Sequence, residues 1–217
     1  MTVGIEHRNI LAIETAIAGG SICLSCGGRT VAEWAGAAER PQAEYILDRV
    51  SELFDSEAAR VRPIDTVAVS AGPGSFTGIR IGISSGLGLA RGLEAKILTV
   101  NILDALAFFY RDIKNSFFLL PIGRGKSIFC PPLENGSHDP AAVSAFRVVP
   151  NDKIPDLLRS ADFKGPCLYH PSLEEYIAND ARSRKLNDNL ACAVAAFASS
   201  SDVRISAPVF VSSSGMQ

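Results

Sequence analysis

Histidine is scarce in this chain: His7, His138 and His170 are the only three. They lie far apart and none forms an H-x-x-x-H pair, which excludes a helical zinc or iron centre of that spacing. Five cysteines at irregular intervals do not make a disulfide framework, and they point to a reducing, cytoplasmic setting. Cys23 and Cys26 form a C-x-x-C, but SICLSC reads as a strand, where residues three apart face opposite sides. No second Cys or His pair follows it, so neither a zinc site nor a redox motif is expected. Basic blocks are missing too, and the net charge is −2. A tight grip on nucleic acid by this chain alone is therefore excluded, because phosphate binding needs clustered Lys and Arg. The longest apolar region, around residues 79–90, is about two-thirds of a membrane span, with Arg80 and Arg91 at its ends. The start, MTVGIEHRNI, lacks the apolar run of a signal peptide. A G-x-S-x-G elbow is absent as well.

What is present is apolar residues, 47% of 217, enough for one large domain or two small ones. NILAIET is a short apolar run ending on a carboxylate, and with SICLSCGG and RTVAEWA it reads as a three-strand meander. PQAEYILDRVSELF places Leu47, Val50 and Phe54 at helical spacing, with Pro41 near its first turn. TVAVS is apolar without alternation, as buried parallel strands are. A glycine-rich helix, the strand KILTV and the helix ILDALAFFYR follow, the last capped by Asn101 with Asp104 in a capping-box-like position. The order to residue 111 is β-β-β-α-β-α-β-α, which an α/β domain with a mixed sheet satisfies. Beyond it, SFFLLPI and KSIFC pair as strands, PPLENGSHDP is a turn-rich loop, and FRVVP and GPCLYH are further strands. NDKIPDLLRS, SLEEY (with Ser172 and Glu175 as a capping box) and NLACAVAAFAS are helical, and APVFV is a last strand. A second, reduced α/β lobe is expected, with the boundary at Lys114–Ser116: residues 1–113 form the first lobe and 114–217 the second.

Two phosphate motifs fail on inspection. GRGKS at 123–127 lacks the P-loop's leading glycine, Leu120 standing in its place, and is followed by a strand rather than a helix. Gly86 and Gly88 miss the dinucleotide spacing and lie inside a helix. Glu14, at the end of the first strand, either holds a magnesium-bound nucleotide or is a solvated strand end. In GPGSFTG, Gly72, Pro73 and Gly74 make a tight turn and Ser75 caps the next helix. The turn's amides either bind phosphate or bring strand and helix into close packing.

The helix after this turn is unusual. Gly78, Gly82, Gly86 and Gly88 together cost roughly 3–4 kcal/mol in helix propensity. The first three recur every four residues and line one face, beside an apolar row of Ile79, Ile83 and Leu87. Such a groove lets a second helix approach closely, as small-xxx-small stripes do; that neighbour is either another chain or a part of this one. If it is another chain, Gly82→Leu weakens partner binding more than folding.

Here the residues resemble a family. IETAIAGGSICL, the AEYIL helix and above all VAVSAGPGSFTGIRIGISSGLGLA are similar to the TsaB (YeaZ) family, from about residue 9 to 111. APVFV is similar to that family's closing P-V-Y-L segment, so the chain is expected to be complete. The resemblance implies an actin/Hsp70-like (ASKHA, ribonuclease-H-like) two-lobe α/β fold with a reduced second lobe. It implies a non-catalytic role in making N6-threonylcarbamoyladenosine beside the tRNA anticodon. The paralogue TsaD carries the metal-binding histidines and transfers the threonylcarbamoyl group from its adenylate; an ATPase, TsaE, joins the pair. Old descriptions of such chains as glycoproteases follow from that paralogue.

Carried over by position, Gly78, Gly82, Gly86, Ile79 and Tyr45 are expected at the interface with a TsaD-type partner, or with a second copy when the chain is alone. Glu14, Gly72, Gly74, Ser75, Thr77 and Arg80 are the candidate nucleotide-proximal set. No catalytic residue, metal or tightly bound cofactor is expected; ATP or ADP belongs, if anywhere, to the interface of the complex, and tRNA contact is indirect. Three departures put independent ATP hydrolysis in doubt. Gln42 replaces a histidine ahead of Glu44, Pro121-Ile122-Gly123-Arg124 lacks the Asp of I-D-A-R, and the turn after Glu14 lacks D-x-G-x-T. The competing reading is an autonomous enzyme of the same fold, a glycoprotease-like peptidase or a small-molecule kinase.

Overall fold

A computed structural model describes residues 8–17, 19–37, 45–55, 63–131, 146–160, 165–177, 180–200 and 205–209. Pro41, Gln42, Glu44, His7, His138 and the PPLENGSHDP loop beyond Pro131 lie outside them. The chain divides into two units, one of residues 1–109 with 189–212 and one of 110–188 with 213–217.

In the first unit, β1 (Asn9–Glu14), β2 (Ser21–Cys26) and β3 (Arg29–Ala35) form the expected antiparallel meander. β4 (Thr66–Ser70) and β5 (Lys96–Val100) add in parallel, giving the sheet order β3-β2-β1-β4-β5. β1 and β4 are buried along their whole length, as central strands covered on both faces must be. On one face lie α1 (Ile46–Asp55) and α2 (Phe76–Gly92). Ile46, Val50 and Leu53 of α1 and Ala90 of α2 pack there on Leu11, Ile13, Ile22, Leu24, Val67 and Val69. The alternate residues of β2, Ser21 and Cys23, face the other side and α6 (Ala191–Ala198). α3 (Ile102–Phe109) packs on α6, with the Phe108 and Phe197 rings 5.7 Å apart. Asn101 caps α3 as expected, its Oδ1 accepting from Leu103 N at 2.8 Å.

The division differs from a single cut near residue 114. The chain leaves the first unit after Phe109 and returns to it at Asn189. α6 explains the return: seven of its eight residues are buried. A helix apolar all round needs neighbours on every side, and the first sheet and α3 supply them. Asn189 Nδ2 donates to Ile22 O at 3.0 Å and Trp34 O at 3.2 Å, and Ala191 N donates to Ser21 Oγ at 2.9 Å. The final APVFV is not a strand over its described residues. Ser206 N donates to Thr99 O and Val209 N to Ala71 O without forming a ladder.

In the second unit, β6 (Phe117–Gly123) and β7 (Lys126–Cys130) form a hairpin, and β8 (Arg147–Pro150), β9 (Cys167–Tyr169) and β10 (Arg184–Lys185) complete the order β10-β9-β6-β7-β8. The GRG of GRGKS is the hairpin turn, with Gly123, Arg124 and Gly125 all at positive φ. That geometry, not phosphate binding, accounts for its two glycines. α4 (Ile154–Arg159) and α5 (Glu174–Ile177) cover a core around Phe117, Leu119 and Phe129. The turn before α5 is capped by His170, whose Nδ1 accepts from Ser172 N at 3.3 Å, in place of the expected Ser172 cap. Among the described residues no helix is long and apolar enough to cross a membrane.

Candidate functional site

The residues singled out in the sequence gather where β1 ends and α2 begins. Glu14 closes β1 and is 1% exposed, so it is not a solvated strand end. Its Oε1 accepts from Ala16 N at 2.6 Å and Ile17 N at 3.0 Å, holding the next turn. Burial pushes its carboxyl up to about 7 despite these bonds.

That turn is clamped onto the start of α2. Thr15 Oγ1 donates to Gly78 O at 2.7 Å, and Ser75 N donates to Ala16 O at 2.7 Å. Ser75 caps the helix as expected, its Oγ accepting from Gly78 N at 3.3 Å. Gly72 adopts φ 87°, and a Cβ there would meet Val209 O at 2.5 Å. Gly72 N donates to Ser70 Oγ, and Gly72 O accepts from Ile102 N. The amides of Gly72 and Ser75 are thus spent within the chain. Gly72 and Gly74 are buried in it, whereas Thr77 and Arg80 stand exposed on α2.

The glycine stripe faces inward, which corrects its expected place at an interface. Gly78, Gly82 and Gly86 are all buried, and Ile79 beside them is fully buried. A Cβ on Gly78 would strike the carbonyl oxygen of Thr15, one on Gly82 the Thr15 hydroxyl, and one on Gly86 a methyl of Val69. The groove is filled by β1 and β4 of the same chain. The approach of α2 to its own sheet is what offsets the helix-propensity cost.

The outward side of α2 carries Phe76, Arg80, Ser84, Leu87 and Arg91, all exposed and at helical spacing. The Arg80 guanidinium lies 5.2 Å from the Phe76 ring centroid. Tyr45 and Leu47, at the start of α1, also point outward. With Phe76 and Leu87 they make four large apolar side chains between 50% and 53% exposed. Of these, sequence reasoning selected only Tyr45. The signal for the others was present: on a helix whose small residues are buried, the large residues opposite them are outside.

The sequence profile of the family described as TsaD, tRNA N6-adenosine threonylcarbamoyltransferase, matches residues 36–126. The tRNA threonylcarbamoyladenosine biosynthesis protein TsaB of Escherichia coli K12 is 36% identical over 98 residues, 45% of this chain and 42% of that protein. The structure of YeaZ from Pseudomonas aeruginosa superposes with a TM-score of 0.55 at 22% identity, over 88% of this chain and 92% of that one. Over this region the chain is similar to TsaB (YeaZ) proteins. The aligned region spans less than half of the E. coli TsaB. The ethanolamine utilization protein EutJ from Carboxydothermus hydrogenoformans shares the fold at 14% identity, with a TM-score of 0.52 over 86% of this chain and 89% of that one. The two mixed five-stranded sheets with helices accordingly form an actin/Hsp70-like α/β fold, like that of the YeaZ structure.

Proposed function

We propose that this chain is a non-catalytic subunit in the threonylcarbamoyladenosine modification of tRNA, which binds and activates a TsaD-type enzyme. The observation that carries the reading is the outward face of α1 and α2. Tyr45, Leu47, Phe76 and Leu87 stand half exposed on one side of the first unit, flanked by Arg80 and Arg91. Large exposed apolar side chains rimmed by polar ones are what a protein partner covers. On this reading Tyr45 keeps its place at the interface, and Phe76 and Leu87 take the places first given to the glycines. The net charge of −2 supports an indirect relation to tRNA, since few phosphates can be neutralised. Glu14 supports the non-catalytic half: its carboxylate is buried and bonded to its own backbone.

The test is reconstitution with the TsaD-type protein, the adenylate-forming enzyme, the TsaE-type ATPase and tRNA. Omitting this chain lowers threonylcarbamoyl transfer, and so does the double variant Phe76→Glu, Leu87→Glu. The chain alone releases no phosphate from ATP and cleaves no glycoprotein. Unchanged product formation without the chain, or turnover above about 1 s⁻¹ by the chain alone, overturns the reading.

A further inference from the structure

Four polar side chains that the partner face leaves unused meet on the opposite side of the first sheet. Cys23 on β2 stands directly across from Glu33 on β3, and Cys192 comes from the second position of α6. The Cys192 thiol donates to Glu33 Oε2 at 2.8 Å. The Thr30 hydroxyl touches both sulfurs, 3.6 Å from Cys23 Sγ and 4.0 Å from Cys192 Sγ. Cys23 is fully buried and Cys192 is 7% exposed, yet both lie against Thr30 and Glu33, which are exposed on the edge strand. A packing role alone needs two small apolar groups here. It does not account for a carboxylate turned onto one thiol and a hydroxyl shared between two.

We propose that Cys23 and Cys192 are a redox pair, joined by hydrogen peroxide into a disulfide that fastens α6 to β2 and separated again by a thiol reductant. Turned from Glu33 toward the Cys23 sulfur, the one proton of the Cys192 thiol holds Cys23 below its ordinary range, and this, burial and Glu33 hold Cys192 well above it. Glu33 holds the proton on Cys192, and the Thr30 hydroxyl stands 3.6 Å from Cys23 Sγ, so Cys23 is assigned as the attacking sulfur. Its sulfur attacks one peroxide oxygen, the S–O bond forms and the O–O bond breaks. The thiol proton leaves with the departing hydroxide as water. Cys192 Sγ then attacks the sulfenic sulfur, the S–S bond forms and the S–O bond breaks. The Cys192 proton passes through the Glu33 carboxylate to the leaving oxygen as a second water. The two sulfurs lose two electrons in all, and one peroxide becomes two waters.

The experiment treats the full-length wild-type chain with hydrogen peroxide and counts thiols by alkylation. The count falls from five to three, non-reducing peptide mapping finds residue 23 joined to residue 192, and dithiothreitol restores all five. The oxidised chain melts about 5–10 °C higher than the reduced one, as expected of a cross-link closing a long loop. Cys192→Ser abolishes both the cross-link and the melting shift, whereas Cys26→Ser keeps both. Glu33→Gln slows the second step, so that dimedone traps the Cys23 sulfenic acid several-fold more than in wild type. Thiols lost without a 23–192 peptide, or a full count of five retained under peroxide, overturn the proposal. So does an equal melting shift in Cys192→Ser.

Discussion

Replacing Gly78 by alanine places a methyl group where the carbonyl oxygen of Thr15 now stands. That oxygen is backbone, and Thr15 is further tied to the helix by its own bond to Gly78 O. Relief therefore requires β1 and α2 to move apart. Overpacking of this kind costs up to about 3 kcal/mol. Alanine returns about 1 kcal/mol of helix propensity, so a net loss of about 2 kcal/mol is expected. Gly88, in the same helix, supplies the control. It is exposed, and a Cβ there meets nothing within 4 Å. Gly88→Ala accordingly gains about 1 kcal/mol. The two variants should differ by about 3 kcal/mol with opposite signs. Urea unfolding followed by tryptophan fluorescence measures this, because the single tryptophan, Trp34, lies on β3 of the first unit. A stabilised Gly78→Ala would refute the argument and restore an open groove on that side of α2. By the same reasoning Gly82→Leu now damages folding ahead of partner binding, the reverse of what periodicity alone suggests.

Glu14→Gln tests the buried carboxyl. Its pKa is raised in the folded state, so the native chain holds the proton longer than the unfolded chain, and stability falls as pH rises from about 4.5 to about 7. That loss is of order 3 kcal/mol; Glu14→Gln should remove it, and an unchanged pH slope in the Trp34 signal would contradict the assignment. His170 acts in the opposite direction in the second unit. Burial lowers it to about 4, so stability there is lost as pH falls below about 6.5. His170→Asn, which retains a capping acceptor, should flatten that acid limb in hydrogen exchange of β9 and α5, and a persistent limb would point to another group. Asn189→Leu strips two bonds from the Ile22 and Trp34 carbonyls and should cost about 1–3 kcal/mol. An unmoved urea midpoint would show that α6 is not held by them. Phe76→Glu with Leu87→Glu should leave stability within about 0.5 kcal/mol, both side chains being half exposed. Their binding to the TsaD-type partner should nonetheless weaken by at least about tenfold, and equal affinity would remove the proposed interface.

Local pattern alone determined the first 111 residues: three strands in a meander, an amphipathic helix, and strand–helix alternation. Each of those features is written within a few residues, in a period of two or 3.6 or in a cap such as Asn101 or Ser75. The same holds for the β6–β7 pair and for reading GRGKS as something other than a P-loop. Tertiary structure alone decided what each face meets. Periodicity shows that Gly78, Gly82 and Gly86 share a side of α2, but not that Thr15 and Val69 fill it. Glu14 ends a strand by sequence, and only the packing of the turn it holds against α2 makes it buried. By sequence α6 reads as a small-residue helix within the second lobe. Its partners, Ser21, Ile22, Glu33 and Trp34, lie more than 150 residues away in sequence. No local window contains such a pairing, because it arises only when a helix apolar all round finds the one sheet face still uncovered.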